Sequence, residues 1–337
     1  MATKTAQYAS LIAQDTSRGP SQGVWFDCPI EDFQQGLGGG IGTSGYLVED
    51  DFCPAGQMAI NQVSNAFGVA SFGKWAAWFG SATLTILDAI EEGGVLKINS
   101  SSTDANKSII LTSISSMFRF LGASTAFNYT GGKFWMEARI ALGSIAASQQ
   151  GVFIGLADNT SSQINSSDTT VIASGGNTLT TTKNLFGFFN RTTTSPADWS
   201  VVYQPAGGTA VYPTGLTTIF NDVTGANQVA YAASTEKGKG TNFVKLGMVW
   251  DPSPGNPSIA APATPPAGQT AGTIYKPLLK FFVNGQQHPK FLNPGIAQAT
   301  TFPLNSVYSP VIQYMNIASA SAPVYLDWVR FAQLGSF

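Results

Sequence analysis

Few residues in this sequence have the chemistry to react, and their spacing restricts them further. The one histidine, His288, stands in Gln286-Gln287-His288-Pro289. Ser/His/Asp catalysis would have to use it, yet no G-x-S-x-G element accompanies it. An edge or surface position is therefore expected for His288. Acidic residues occur as Glu31-Asp32, Glu49-Asp50-Asp51 and Glu91-Glu92, and adjacent side chains on an extended chain point to opposite faces. Retaining glycoside hydrolysis needs two carboxyl groups about 5–5.5 Å apart, which none of these pairs supplies. Glu137 lies inside a strand-like run with Arg139 two residues on, so a same-face ion pair is expected there, not a general acid. No catalytic residue is assigned.

Metal and cofactor chemistry has equally little support. Cys28 and Cys53 form no C-x-x-C motif, and one histidine does not complete a zinc shell with them. Two buried free thiols are expected in preference to a disulfide. Asp158-Asn159 and Asp104 to Asn106 carry oxygen ligands suited to calcium, but the same residues are ordinary turn formers, and they are read as turns. The glycines at 36, 38, 39, 40, 42 and 45 lack the Lys-Ser/Thr ending of a phosphate-binding loop. Neither a metal nor a cofactor is expected. Aromatic rings remain as a handle for sugars, which stack only on rings that face solvent. Trp75 and Trp78 are the candidate glycan contacts, while Trp135 and Trp199 are expected to fill the core.

The composition bounds the partners. The chain has 337 residues, 43% of them hydrophobic and 11% charged, against about a quarter charged in ordinary soluble domains. Lys and Arg number 17 against 19 Asp and Glu, a formal net charge of −2. That offers no basic face for phosphates, so nucleic acid is not expected as a partner. It also lacks the surplus charge that keeps disordered chains open, so the chain is expected to fold. The start, Met1-Ala-Thr-Lys-Thr-Ala-Gln, has no apolar core of a secretory signal. The most apolar window, Trp75 to Leu87, is short and broken by Gly80 and Ser81, so no membrane partner is expected.

The elements that position these residues read as strands. Phe134, Met136, Ala138 and Ile140 alternate with Trp135, Glu137 and Arg139, a period of two. Val244 to Trp250 and Leu279 to Val283 repeat the pattern. The second of these meets Asn284-Gly285, which predicts a hairpin through a type I′ turn. Gly151 to Ala157 is continuously apolar, as a strand covered on both faces is. Leu185–Phe189, Ser200–Tyr203 and Val324–Phe331 are further strands. Helical signals are confined to a weak pattern at Tyr8, Leu11 and Ile12 and a short stretch from Pro54 to Val69. An all-β antiparallel sandwich follows.

Two kinds of segment interrupt it. Residues 1–48 are Gly-rich and aperiodic, and are expected to form an extended N-terminal arm that orders on a partner. Residues 49–337 are expected to form one sandwich with exposed loop insertions at about 158–184 and 251–273. The second contains Pro252, Pro254, Pro257, Pro262, Pro265 and Pro266, and proline cannot donate to a sheet ladder.

The succession Phe134–Ile140, Gly151–Asp158, Lys245–Trp250, Phe281–Gln286 and Val324–Arg330 resembles the concanavalin A-like (laminin-G-like) jelly roll. In particular it is similar to versions in tailed-bacteriophage virions that serve as capsid decoration or cement proteins. The resemblance implies a non-enzymatic protein on the capsid surface, made in the host cytoplasm, with the major capsid protein as partner. It also implies a symmetric homo-oligomer. The metal and carboxylate motifs of lectins and glycosidases of this fold do not occur here. A lectin-like adhesion module that binds surface glycans is the alternative.

Overall fold

In the computed structural model the strands are β1 (Gly45–Asp50), β2 (Gly68–Phe72), β3 (Trp75–Phe79), β4 (Ala82–Ile86), β5 (Leu96–Ser100), β6 (Ser108–Ser113), β7 (Phe118–Phe120) and β8 (Phe134–Leu142). They continue as β9 (Gln150–Asp158), β10 (Leu185–Arg191), β11 (Asp198–Gln204), β12 (Val244–Trp250), β13 (Leu279–Val283), β14 (Gln286–Leu292), β15 (Ser306–Asn316) and β16 (Val324–Leu334). One helical turn, α1 (Gln22–Trp25), precedes them. The structure describes residues 17–29, 45–52, 68–72, 75–79, 82–86, 94–100, 108–113, 118–120, 132–146, 149–158, 171–173, 178–191, 198–220, 229–232, 242–251, 278–292, 302–303, 306–317 and 322–334. The weak pattern at Tyr8, Leu11 and Ile12, residues 54–67 of the short helical stretch, and the Pro-rich insertion from 252 onward lie outside these residues.

The strands form two antiparallel sheets. The first runs β14-β13-β12-β8-β16-β5-β4, with β1 also on β16; the second runs β11-β10-β9-β15-β6-β3-β2, with β7 also on β15. The pair β8/β16 of the first sheet continues as β9/β15 in the second. One antiparallel ribbon thus folds over the core, which is jelly-roll winding. The expected all-β antiparallel jelly-roll sandwich is the fold observed.

Period two sorts the side chains as expected. Phe134, Met136, Ala138 and Ile140 of β8 meet Val152, Ile154 and Leu156 of β9 in one apolar core. Its centre is aromatic: Phe120 lies 5.3 Å from Phe134, 4.9 Å from Phe186 and 5.2 Å from Trp250, each edge to face. Such pairs add about 0.5–1.5 kcal/mol each beyond burial. Trp199 fills this core, as expected.

Prolines sit where the ladder tolerates them. Pro310 lies within β15 at the junction where that strand exchanges β7 for β6, and neither pairs with it. Pro289 lies on β14, the edge of its sheet. The hairpin expected at Asn284-Gly285 joins β13 to β14, with φ of 49° and 74°, as a type I′ turn requires.

Among the described residues, part of each sheet's outer face is covered by the chain itself. On the second sheet, Val171, Ile172 and Leu179 pack on Phe153, Ala157, Phe189 and Val202. Gln313 Oε1 fixes this cover by accepting from Val171 N (2.6 Å) and Ile172 N (2.9 Å). The insertion at 158–184 is therefore corrected from a fully exposed loop: its described apolar residues close the second face. That face offers Gly155, Phe153 and Ala157, which are too apolar to leave in water.

Candidate functional site

The outer face of the first sheet carries the most concentrated chemistry of the described residues. Glu137, Arg139, Lys245 and Asp327 all project there and are buried. Buried charges require partners, and a strap formed by residues 17–29 provides them. Ser21 N and Trp25 Nε1 both donate to Glu137 Oε2, at 2.9 and 2.8 Å. Lys245 Nζ donates to Gly19 O at 2.9 Å. Arg18 donates to Asp327 through Nε and Nη2, the latter at 2.6 Å. Trp328 Nε1 donates to Arg18 O at 2.5 Å, and Lys133 and Trp135 hold Asp27 at the far end.

This geometry corrects three expectations. The ion pair expected between Glu137 and Arg139 is replaced: Arg139 pairs with Asp327 instead. A bulge is the reason, because Leu326 stands opposite Ile140 while Trp328 already stands opposite Arg139. Asp327 is the extra residue, so it and Trp328 both face outward before Val329 returns to the core. Second, residues 17–29 of the expected arm order on this chain's own sheet, against its buried charges. Third, β1 begins at Gly45 and pairs with β16, so ordered sandwich structure starts inside the segment 1–48. Trp135 is buried as expected, but beneath the strap, with Val24, Trp25 and Phe282.

Electrostatics differ at the two ends of the strap. Burial pushes the Glu137 carboxyl up from its ordinary value, against hydrogen bonds from Ser21 and Trp25 and the charge of Lys245. Burial also raises Asp27, but hydrogen bonds from Lys133 and Trp135 and the charges of Lys133 and Lys280 outweigh it and hold the carboxyl below its ordinary value. Cys28, a free thiol, is pushed up to about 12 by burial and by Asp27. Only thiolate reacts. A Cys53→Ser variant, in which Cys28 alone reports, is expected to react with a thiol reagent at pH 8 thousands of times more slowly than free cysteine. A rate near that of free cysteine contradicts the burial.

Room for the strap comes from Gly247. A Cβ added there would stand 2.6 Å from Val24 Cγ2, tighter than packed atoms tolerate. Gly247→Ala is expected to cost about 1–3 kcal/mol, the usual range for overpacking, and to hasten cleavage within residues 17–29 by protease. Unchanged stability and cleavage would show that the strap is not seated on the sheet.

Between the strap and the β13–β14 hairpin lies a groove of about 330 Å³. Val24 and Phe282 lie along it, with Phe26, Asp27, Lys280 and Gln287. Phe26 is 58% exposed, and Val229 is the other exposed large hydrophobic side chain among the described residues. Asp27 is engaged by Lys133, which also reaches Asp251, and the charge of Lys280 acts on Asp27 as well. The hairpin was legible from Asn284-Gly285; the groove was not, because its other wall is the strap.

The remaining candidates are placed as follows. Trp75 is fully enclosed in the core and its Nε1 donates to Asp50 Oδ2 at 2.9 Å. Its ring faces the interior and offers no surface to a sugar. Trp78 pairs by its backbone with Val69 and Ile110; its side chain lies outside the described residues, as do Cys53, Asn159 and Asp104 to Asn106. His288 is on an edge strand as expected but buried, with Nδ1 accepting from Lys290 N at 3.0 Å; the surface alternative is corrected. Asp158 accepts from Asn184 Nδ2 at 2.7 Å. No group of three or more His, Cys, Asp or Glu gathers as a metal site among the described residues.

Fold and site together define a strapped antiparallel jelly-roll sandwich. No protein-family model and no curated protein matches the chain. Among solved structures it is similar to a carbohydrate esterase of the Shiga toxin-encoding bacteriophage phi24B, at 15% identity and a TM-score of 0.37, over 77% of this chain and 90% of that one. It is similar to a protein of unknown function from Shewanella oneidensis MR-1 at 15% identity and a TM-score of 0.42, over 95% and 98% of the two chains. It is also similar to a winged bean acidic lectin, at 10% identity and a TM-score of 0.42, over 86% and 99%. Likenesses at this level carry no activity, ligand or partner to this chain. Its jelly-roll winding stands on its own strand order.

Proposed function

We propose that this protein is a structural component of a tailed-bacteriophage virion, a decoration or cement protein that binds the major capsid protein on the outside of the head. In this reading it works as a homo-oligomer, stabilises the shell and catalyses nothing. One observation supports the proposal: among the described residues, segments of the chain cover the outer faces of its own central strands on both sheets. Such cover leaves edges and loops as contact surface over those strands, suited to clamping between other subunits. Its few charges hold the strap in place, and the order of its strand motifs resembles virion jelly rolls. A surface of Ser, Thr, Gly and Asn binds by apolar and hydrogen-bonded contacts, with weak dependence on salt. Quantitative mass spectrometry of purified particles tests this. A copy number commensurate with the major capsid protein is expected, and a copy number typical of a tail tip or fibre would overturn it.

The groove beside Phe26 favours a second reading, a glycan-binding adhesion module. An exposed ring above a partly polar groove is the arrangement sugars use. A glycan array tests it, and absence of any signal removes it.

A further inference from the structure

The two exposed large hydrophobic side chains among the described residues, Phe26 and Val229, lie at opposite ends of one face. Phe26 precedes Asp27, which Lys133 and Trp135 hold at the start of β8. It stands on the rim of the groove whose floor includes Val24 and Phe282. Val229 is two residues from Tyr231, whose backbone N–H donates to the oxygen of Leu142, the last residue of β8, at 2.7 Å. The Tyr231 ring stacks on Tyr325 of β16, with centroids 3.8 Å apart. Tyr325 faces outward, since Val324 and Leu326 on either side of it belong to the core. The outer face of the first sheet therefore carries a hollow at one end and an apolar knob at the other.

Charges on this face are answered within it. Arg18 and Arg139 share Asp327, Arg330 meets Glu49, and Lys133 lies between Asp27 and Asp251. The charge of Lys280 acts on Asp27, and that of Lys245 on Glu137. The groove thus has no surplus charge to offer an ion and suits an uncharged apolar group. A face whose charges are balanced also meets an identical face without repulsion.

We infer that this face is the contact between two copies of the chain, packed antiparallel about a two-fold axis, with Val229 of each copy seated beside Phe26 of the other. Such an axis exchanges the two ends of the face, so a hollow and a knob at opposite ends fit together twice. The nine residues of β8 and the five strands from β13 to β5 give a face of about 30 by 24 Å. That approaches the roughly 800 Å² per partner of a stable interface. The inference rests on the homo-oligomer of the capsid reading and names its surface. A groove filled in this way is closed to sugars.

Analytical ultracentrifugation of the full chain at micromolar concentration tests it, and a dimer is expected. Phe26→Lys and Val229→Asp are each expected to raise the dissociation constant about a hundredfold, because an apolar anchor worth about tenfold is lost twice. Mixing the two variants is expected to restore a dimer. One contact of the mixed pair is native, and the other sets Lys against Asp. Both altered side chains are exposed in the single chain, and thermal unfolding checks that each variant is folded. A monomeric unaltered chain, an oligomer that both substitutions leave intact, or a mixture no tighter than its components overturns the inference. A monomer in solution alongside a copy number commensurate with the shell would sink this surface alone. A copy number typical of a tail tip would sink the capsid reading whatever the oligomer.

Discussion

Asp327→Ala is expected to destabilise the protein by about 3–5 kcal/mol, the cost of removing one partner from a buried ion pair. The Asp327 carboxylate is fully enclosed and serves two guanidinium groups, Arg139 in the sheet and Arg18 in the strap. Arg139 has little access to water, with a side chain 11% exposed and the Phe243 ring 4.1 Å from its guanidinium carbon. Its charge would remain in a poorly solvated site with no carboxylate opposite. Arg18 is different, with a side chain 31% exposed. Its removal leaves the Arg139–Asp327 pair intact, so Arg18→Ala is expected to cost only about 1 kcal/mol. Urea unfolding measures both, read from the midpoint at constant slope. Trypsin adds a local readout, since release of the strap exposes the Arg18–Gly19 bond. Faster cleavage there in Asp327→Ala is expected. Equal costs for the two variants would show that Asp327 does not hold the strap and sheet together.

The contrast between these residues explains what the sequence could and could not reveal. Strands such as Phe134–Leu142 and Val244–Trp250 were legible because period two is a local property, set by the pleat and the need to bury one face. The Asn284-Gly285 hairpin was legible for the same reason. The Glu137–Arg139 pair failed although its residues share a face, because the outcome depended on a bulge in β16. That bulge brings Asp327 to Arg139 across 188 positions. A strict alternation in Val324–Arg330 would have sent Trp328 into the core and Val329 out. The strap was illegible for a further reason: its contacts with β8, β12 and β16 are all non-local, and its own sequence is aperiodic. The buried charges on the outer face of β8 and β12 were the available signal. Glu137, Arg139 and Lys245 on otherwise apolar strands indicate that something polar covers them, but they do not indicate which segment.

Glu137 provides the second large effect, and one that separates charge from hydrogen bonding. Glu137→Ala removes the acceptor of two buried donors, Ser21 N and Trp25 Nε1. Each stranded donor costs about 1–3 kcal/mol, so a loss of about 2–6 kcal/mol is expected. Glu137→Gln keeps an acceptor oxygen and removes the buried charge, so a much smaller change is expected, in either direction. The pH dependence follows from the sign of the shift. Burial raises the folded-state value of Glu137 above its ordinary 4.5. The stability it contributes is therefore complete below about pH 4.5 and is lost as pH rises through the raised folded-state value. Asp27 acts in the opposite sense: its value is lowered, so its contribution is present above the ordinary carboxylate range and lost on acidification. The other groups facing Glu137 across the strap, Lys245, Arg139 and Asp327, are present in both variants and cancel in the comparison. The difference in unfolding free energy between Glu137→Gln and the unaltered chain, measured from pH 4 to pH 8, isolates the Glu137 contribution. It is expected to grow in favour of Glu137→Gln as pH rises. A difference that stays flat across that range would mean that Glu137 titrates normally and is not enclosed by the strap.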